Sequence, residues 1–209
     1  MKNNKPTYLL ILVIHVLLAF AIYTIPFISK IYGLLIPFFG TILIINTKNR
    51  NNEALLVAAY VISSEVLLRM TEGNIAHEIA KYEVIYFLIL GMLYSGTSKN
   101  SLVYTLFILL LIPGIYIGAN ALGHDVNVRK AILFNILGEV TLFVSAIYCY
   151  QRRVNMLQLE YIIKALALPL VSILTYLFLY TPSIKDVVTG TQSNFETSGG
   201  FGPNQVSTI

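Results

Sequence analysis

The stretch YLLILVIHVLLAFAIYTI, Tyr8 to Ile25, decides what kind of chain this is. Apart from its tyrosines, its one ionisable side chain is His15. As a helix it would be about 27 Å long, close to the roughly 30 Å hydrocarbon core of a bilayer. The apolar residues run on without alternation, which excludes a barrel strand.

The rest of the sequence repeats the pattern. Of 209 residues, 56% are hydrophobic and only 11% charged, and the mean hydropathy is +0.74. A soluble globule carries about 25% charged residues, so that class is excluded. The reading is an all-α polytopic transmembrane helical bundle. Its seven complete spans are Tyr8 to Ile25, Ile31 to Ile45, Glu53 to Leu68, Tyr82 to Ser95, Leu102 to Ile117, Ala131 to Tyr150 and Tyr161 to Tyr180. The third and fourth are short for a perpendicular crossing. Either the segment from Arg69 to Lys81 dips to the membrane surface, or those helices extend further. Lys2 and Lys5 before an apolar run, with Ala19, Phe20 and Ala21 following, imitate a signal peptide. The apolar run continues past that triplet, so the first span is read as retained. Cys149 is the only cysteine and offers no intramolecular disulfide.

Cations in the loops set the orientation. With the N-terminus in the cytoplasm, Lys2, Lys5, Lys48, Arg50, Lys99, Arg152, Arg153 and Lys164 lie inside, and Lys30, Arg69, Lys81, Arg129, Lys130 and Lys185 lie outside. The short inner loops carry no acid except Glu53, whereas the longer outer loops carry both signs with His77 and His124. The outer face is therefore expected to hold the chemistry.

Two outer clusters stand out. In LRMTEGNIAHEIAKYEVIY, Leu68 to Tyr86, a helix begun at Asn74 would put Glu78 and Lys81 on one face. Arg69 and Lys81 are either solvated interfacial charges or a grip on phosphate, for which guanidinium offers paired donors; His77 reads as a loop histidine. In ANALGHDVNVRK, Ala119 to Lys130, Asn127 or Asp125 caps the next helix and leaves Arg129 and Lys130 in its first turn. Cations there oppose the helix dipole, which favours an anion such as a lipid phosphate or a lipid-linked substrate.

Ionisable residues within spans are costly. Glu65 and Arg69 are four apart and can neutralise one another, whereas Lys164, one turn after Glu160, reads as snorkelling towards the inner surface. His15 reads as a hydrogen-bonded packing residue. Glu139, one turn after Asn135, is either a structural hydrogen-bonding group or part of a polar substrate cavity, the role also open to Glu65. The chain has no P-loop, dinucleotide fingerprint, paired His and Glu at metal spacing or nucleophile elbow. Its dispersed cations argue against nucleic acid.

The longest polar stretch, residues 181–202, reads as an outer-face loop leading to SGGFGPNQVS. Gly199, Gly200 and Gly202 permit positive φ, and Pro203 suits the first position of a helix. The amides of Asn204, Gln205 and Val206 would then be open to hydroxyl or phosphate oxygens, unless the turn is simply a hinge before an eighth span. Seven residues from Pro203 to Ile209 make about 10 Å of helix, too short to cross. Residues 1–209 are accordingly expected to be a single transmembrane domain, the N-terminal part of a longer protein.

SGGFGPNQVS resembles the loop-to-helix signature of the O-antigen ligase and O-antigen polymerase-like membrane proteins, in which a Gly-Phe-Gly-x-Pro-Asn type turn opens a helix. GNIAHEIAKYEVIYFLIL is similar to that family's outer connection, where a Glu-x-x-Lys-Tyr pattern leads into a span. About ten residues carry the match specifically. The resemblance implies a glycosyltransferase on the outer face of a bacterial inner membrane. It would pass glycan from a polyprenyl diphosphate carrier to a lipid or glycan acceptor in surface polysaccharide biosynthesis, with no metal or cofactor. Lys81 and Tyr82 match the connection, and Gly200, Phe201, Gly202, Pro203 and Asn204 match the turn. The substrate-binding candidates are thus Arg69, Lys81, Arg129, Lys130, Gly200, Gly202 and Asn204, with the catalytic residues expected beyond residue 209. Where relatives carry an arginine before the glycine turn, this chain has Glu196, Thr197 and Ser198. The competing expectation is a membrane transporter or non-catalytic scaffold, with Glu65 and Glu139 lining a polar path.

Overall fold

In a computed structural model of the chain, residues 5–76, 78–121 and 128–180 are described. They form seven α-helices: α1 (Lys5–Thr24), α2 (Phe27–Thr47), α3 (Glu53–Met70), α4 (Ile79–Ser95), α5 (Thr105–Ala121), α6 (Val128–Cys149) and α7 (Met156–Tyr180). A 3₁₀ turn over Lys99–Tyr104 precedes α5, and no strand occurs among the described residues. Each apolar stretch read from the sequence falls largely on one α-helix. Four of the helices, α1, α2, α7 and α5 with its preceding turn, are long and apolar enough to cross a membrane. The fold is all-helical, as composition requires.

Local chemistry accounts for several boundaries. Helix α7 starts at Met156, ahead of the expected Tyr161, because Asn155 and Gln158 form a reciprocal capping box. Gln158 N–H donates to Asn155 Oδ1 at 2.8 Å and Asn155 N–H to Gln158 Oε1 at 3.1 Å. Helix α4 starts at Ile79 with Glu78, not Asn74, at its N-cap, and Glu78 makes no side-chain capping bond there. Both amide atoms of Asn74 are buried without a hydrogen-bond partner. At the other end of α4, Gly96 takes φ 69 and donates its N–H to Met92 O, a reversal that glycine allows without a Cβ clash. Pro37, Pro113 and Pro169 lie inside α2, α5 and α7. Each removes one backbone donor, a loss that helices in an apolar setting make good through neighbours.

The chain divides into two compact units, and the division falls inside α2, α3 and α7. Unit 1 comprises Met1–Phe39, Ala59–His77 and Glu160–Ile209. Its core includes Ala19, Ile22, Tyr32, Ile36, Val61, Leu67, Ala165 and Ile173. Gly73 is held close to Ser29 and Leu68, leaving no room for a Cβ, and the buried hydroxyls of Ser29 and Thr71 are hydrogen-bonded beside it.

Unit 2 comprises Gly40–Ala58 and Glu78–Leu159, with α6 packed on α4 and α5. Its core holds Ile44, Ala54, Val57, Val84, Phe87, Leu88, Val144 and Tyr148. Close approach rests on two glycines. A Cβ on Gly91 would come 2.6 Å from the Ala54 Cβ and 2.9 Å from the Tyr148 ring, and one on Gly40 would come 2.8 Å from the Phe87 ring. Both positions therefore let helices meet at backbone distance.

Large apolar side chains also cover the outside of the helices. Leu9, Phe38, Phe39, Leu109, Leu110 and Phe178 are all exposed. A water-facing surface rarely carries so many large apolar groups.

Candidate functional site

The residues expected on the outer side do not gather into one described site. Arg69, in the last turn of α3, is ion-paired with Glu65 as their spacing predicts, and both side chains are largely buried in unit 1. Lys81, in the first turn of α4, is ion-paired with Glu78, the residue expected on its helix face, and belongs to unit 2. Each cation thus arrives with a carboxylate from its own neighbourhood, which offsets the cost of placing it near hydrocarbon. Arg129 and Lys130 fall in the first turn of α6, but their side chains lie outside the described residues, as do His77, His124, Gly200, Gly202 and Asn204. Glu139 lies within α6, and its Oε2 is buried without a hydrogen-bond partner. A carboxyl oxygen in that state is costly unless it meets a further polar group. Among the described residues no group of three His, Cys, Asp or Glu side chains could hold a metal ion.

A directional hydrogen-bond chain occupies unit 1. His15 Nδ1 lies 2.9 Å from Ile11 O, which can only accept, so Nδ1 carries the proton. Nε2 is then an acceptor, and the Tyr60 hydroxyl at 2.9 Å must donate to it. Tyr32 in turn donates to the Tyr60 oxygen at 2.9 Å. Ser172 Oγ donates to His15 O at 2.9 Å, which ties α7 to α1. The chain ends on a backbone carbonyl at one side, so it orders α1, α2 and α3 and passes no proton onward. The sequence reading of His15 as a packing residue agrees with this arrangement, while its tyrosine partners were not visible from local spacing.

Among the described residues the densest polar arrangement lies in unit 2, at loops to which the sequence reading assigned no site. Here the connections α2–α3, α4–α5 and α6–α7 meet. Arg152 donates through Nε to Tyr148 O at 2.8 Å, through Nη1 to Asn52 Oδ1 at 3.1 Å and Ser95 Oγ at 2.8 Å, and through Nη2 to Gly96 O at 2.9 Å. Its guanidinium carbon stands 3.8 Å from the centre of the Tyr148 ring. The fork therefore caps the C-terminal carbonyls of α4 and α6 and stacks on an aromatic face.

Two buried asparagines complete the arrangement. Asn49 and Asn52 have φ of 52° and 61°, a left-handed conformation that asparagine tolerates better than most residues. Asn49 Nδ2 lies 3.1 Å from Gly91 O, 2.9 Å from Ser95 Oγ and 2.8 Å from the Tyr148 hydroxyl. Its Oδ1 accepts from Ala54 N–H at 2.9 Å and so caps the start of α3. Asn52 Nδ2 reaches Arg153 O at 3.1 Å and Gln158 Oε1 at 3.3 Å. The signal for these residues was present as the run TKNRNNE between two apolar stretches. Nothing local, however, pairs Asn52 with an arginine 100 positions later.

No protein-family model matches the chain, nor does any curated protein or solved structure. Fold and site together define an all-helical protein with several helices apolar enough for membrane crossing, pinned by a polar node among three connections.

Proposed function

We propose that the chain crosses the bacterial inner membrane seven times with its N-terminus in the cytoplasm. In this reading it is an O-antigen ligase or polymerase-like glycosyltransferase that takes glycan from a polyprenyl diphosphate carrier on the outer face. Seven crossings are supported by the meeting of the α2–α3, α4–α5 and α6–α7 connections. In an alternating path these three, and only these, share the end that also carries the N-terminus. The exposed apolar side chains along α1, α2, α5 and α7 suit lipid contact.

Transfer itself rests on SGGFGPNQVS and on the Glu-x-x-Lys-Tyr pattern ending at Tyr82. The single structural observation that supports it is the state of Lys81, ion-paired with Glu78 at the start of α4. A lysine ion-paired at a helix N-terminus can exchange a carboxylate for a diphosphate, which carries more charge. Arg69, held by Glu65 in unit 1, is open to the same exchange. The acceptor hydroxyl attacks the sugar carbon and gives its proton to a base or water as the bond to the diphosphate oxygen breaks, so a cation that holds the diphosphate lowers the barrier most as its charge develops. The acceptor is a lipid or another glycan.

A second reading, a transporter or scaffold, is favoured by Glu139, whose unsatisfied buried carboxyl oxygen suits a polar path through the helices. The test is glycan transfer by membranes carrying the protein, supplied with a polyprenyl diphosphate-linked glycan at subsaturating concentration. Transfer that falls at least tenfold in both Arg69→Ala and Lys81→Ala, with Glu139→Gln active, supports the glycosyltransferase. Wild-type turnover in both alanine variants contradicts the diphosphate role.

A further inference from the structure

The node built on Arg152 does more than join helices, because of what it leaves on its outer side. The three connections it fixes carry Lys48, Arg50, Lys99 and Arg153, and all four side chains are exposed. Each sits beside a residue that the node holds. Lys48 and Arg50 flank Asn49, which bonds to Ser95 and Tyr148. Lys99 follows Ser98, whose hydroxyl donates to Gln151 Oε1 at 2.8 Å. Arg153 offers its own carbonyl to Asn52 Nδ2. Four cations are thereby brought onto one rim of unit 2 although they come from three separate parts of the chain.

Among the described residues, the three connections themselves carry no acid to balance them. The nearest acid in sequence, Glu53 at the start of α3, is 8% exposed and is turned back onto Asn51, accepting from its backbone N–H at 3.0 Å and its side-chain Nδ2 at 3.1 Å. Arg152, the fifth cation, is spent on the node. Beside the rim lie Tyr94 and Tyr104, both exposed, with Tyr104 in edge contact with Tyr150 at 5.6 Å between ring centres. Tyrosines with an apolar body and a polar tip collect at the level of lipid headgroups. Exposed apolar Leu93 and Leu106 mark the hydrocarbon side of the same boundary.

We infer that this rim is a binding surface for the headgroups of anionic phospholipids, with Lys48, Arg50, Lys99 and Arg153 contacting lipid phosphates and the tyrosines setting the depth. The four side chains are long and exposed, while the connections beneath them are held by Arg152, Asn49 and Asn52. A lipid bound to one connection therefore meets the cations of the others already in place. The inference rests on the chain crossing a membrane and is independent of glycan transfer. It also needs no assignment of which leaflet the rim faces.

The test uses the protein reconstituted into phosphatidylcholine vesicles containing a trace of spin-labelled lipid. Electron paramagnetic resonance then gives the selectivity of the protein-contacting lipid for phosphatidylglycerol over phosphatidylcholine. Wild-type protein prefers phosphatidylglycerol, and the preference fades in 1 M salt as screening shortens to about 3 Å. Each of Lys48→Gln, Arg50→Gln, Lys99→Gln and Arg153→Gln lowers it by up to about fivefold, and the quadruple variant brings it close to unity. Because all four positions are exposed, the variants keep the wild-type helix content, which circular dichroism checks. Selectivity retained by the quadruple variant overturns the proposal, as does its equal loss in Lys30→Gln, an exposed cation of unit 1. Absence of any motionally restricted lipid would overturn the membrane crossing itself, an outcome separate from loss of headgroup preference alone.

Discussion

Arg152 Nη1 donates to Asn52 Oδ1 across 3.1 Å, tying the residue that precedes α3 to the start of the α6–α7 connection 100 positions away. The same guanidinium serves Tyr148 O, Ser95 Oγ and Gly96 O. Replacing it leaves two helix-terminal carbonyls and the Asn52 oxygen without their donor. Arg152→Ala is expected to destabilise the protein by about 2–4 kcal/mol, given roughly 1.5–3 kcal/mol for hydrogen bonds to charged groups and partial compensation by water. Arg152→Lys should recover only part of this, because an ammonium cannot span the fork. Thermal unfolding in detergent, followed by circular dichroism, measures both.

Gly91 stands where α4 meets Ala54 and the Tyr148 ring, with no space for a methyl group. Gly91→Ala is predicted to cost about 1–3 kcal/mol through overpacking, despite alanine's better helix propensity. Gly114→Ala in α5, where a Cβ would meet nothing within 4 Å, is the contrasting case. It should be neutral or slightly stabilising in the same unfolding experiment.

The hydrogen-bond chain Tyr32 to Tyr60 to His15 has a direction, so its links are unequal. Tyr60→Phe removes the donor to His15 Nε2 and the acceptor for Tyr32 together. Tyr32→Phe removes one donor and leaves the Tyr60–His15 bond whole. Interhelical hydrogen bonds in membrane proteins are worth about 0.6 kcal/mol on average and up to about 1.7. Tyr60→Phe is therefore expected to cost roughly twice as much as Tyr32→Phe. Equal costs would mean that Tyr60 does not donate to the imidazole.

Much of this architecture could be read along the chain, because its cause is local. Apolar runs marked the positions of all seven α-helices, and i,i+4 spacing gave Glu65–Arg69, whereas Glu78 and Lys81 were legible only as neighbours on one face and the Glu160–Lys164 pair is seen only in the structure. The start of α7 was missed although Asn155 and Gln158 have capping-box spacing, since the apolar run alone was used to place it. Asn74 reads as an N-cap by residue type, yet α4 begins five residues later. The node was illegible for a different reason. Asn49, Asn52 and Arg152 look like ordinary loop residues until α2, α4 and α6 deliver their ends to one place. Attention to the outer loops, which carry more varied charge, drew the sequence reading away from them.

The outer-face transfer reaction depends on the alternating seven-crossing path, whereas the lipid-contacting rim needs only that the chain cross a membrane. The most direct test of that path is cysteine accessibility in a Cys149→Ser background. Single cysteines are placed at Asn51, Thr97 and Gln151, one in each connection at the node, and at Ile25 and Glu72, in the α1–α2 and α3–α4 connections. With a membrane-impermeant maleimide on intact cells, the predicted result is labelling at positions 25 and 72 only. Positions 51, 97 and 151 should react once the membrane is opened. Labelling of 51, 97 or 151 from outside, or a split of these three between the two sides, would contradict the account.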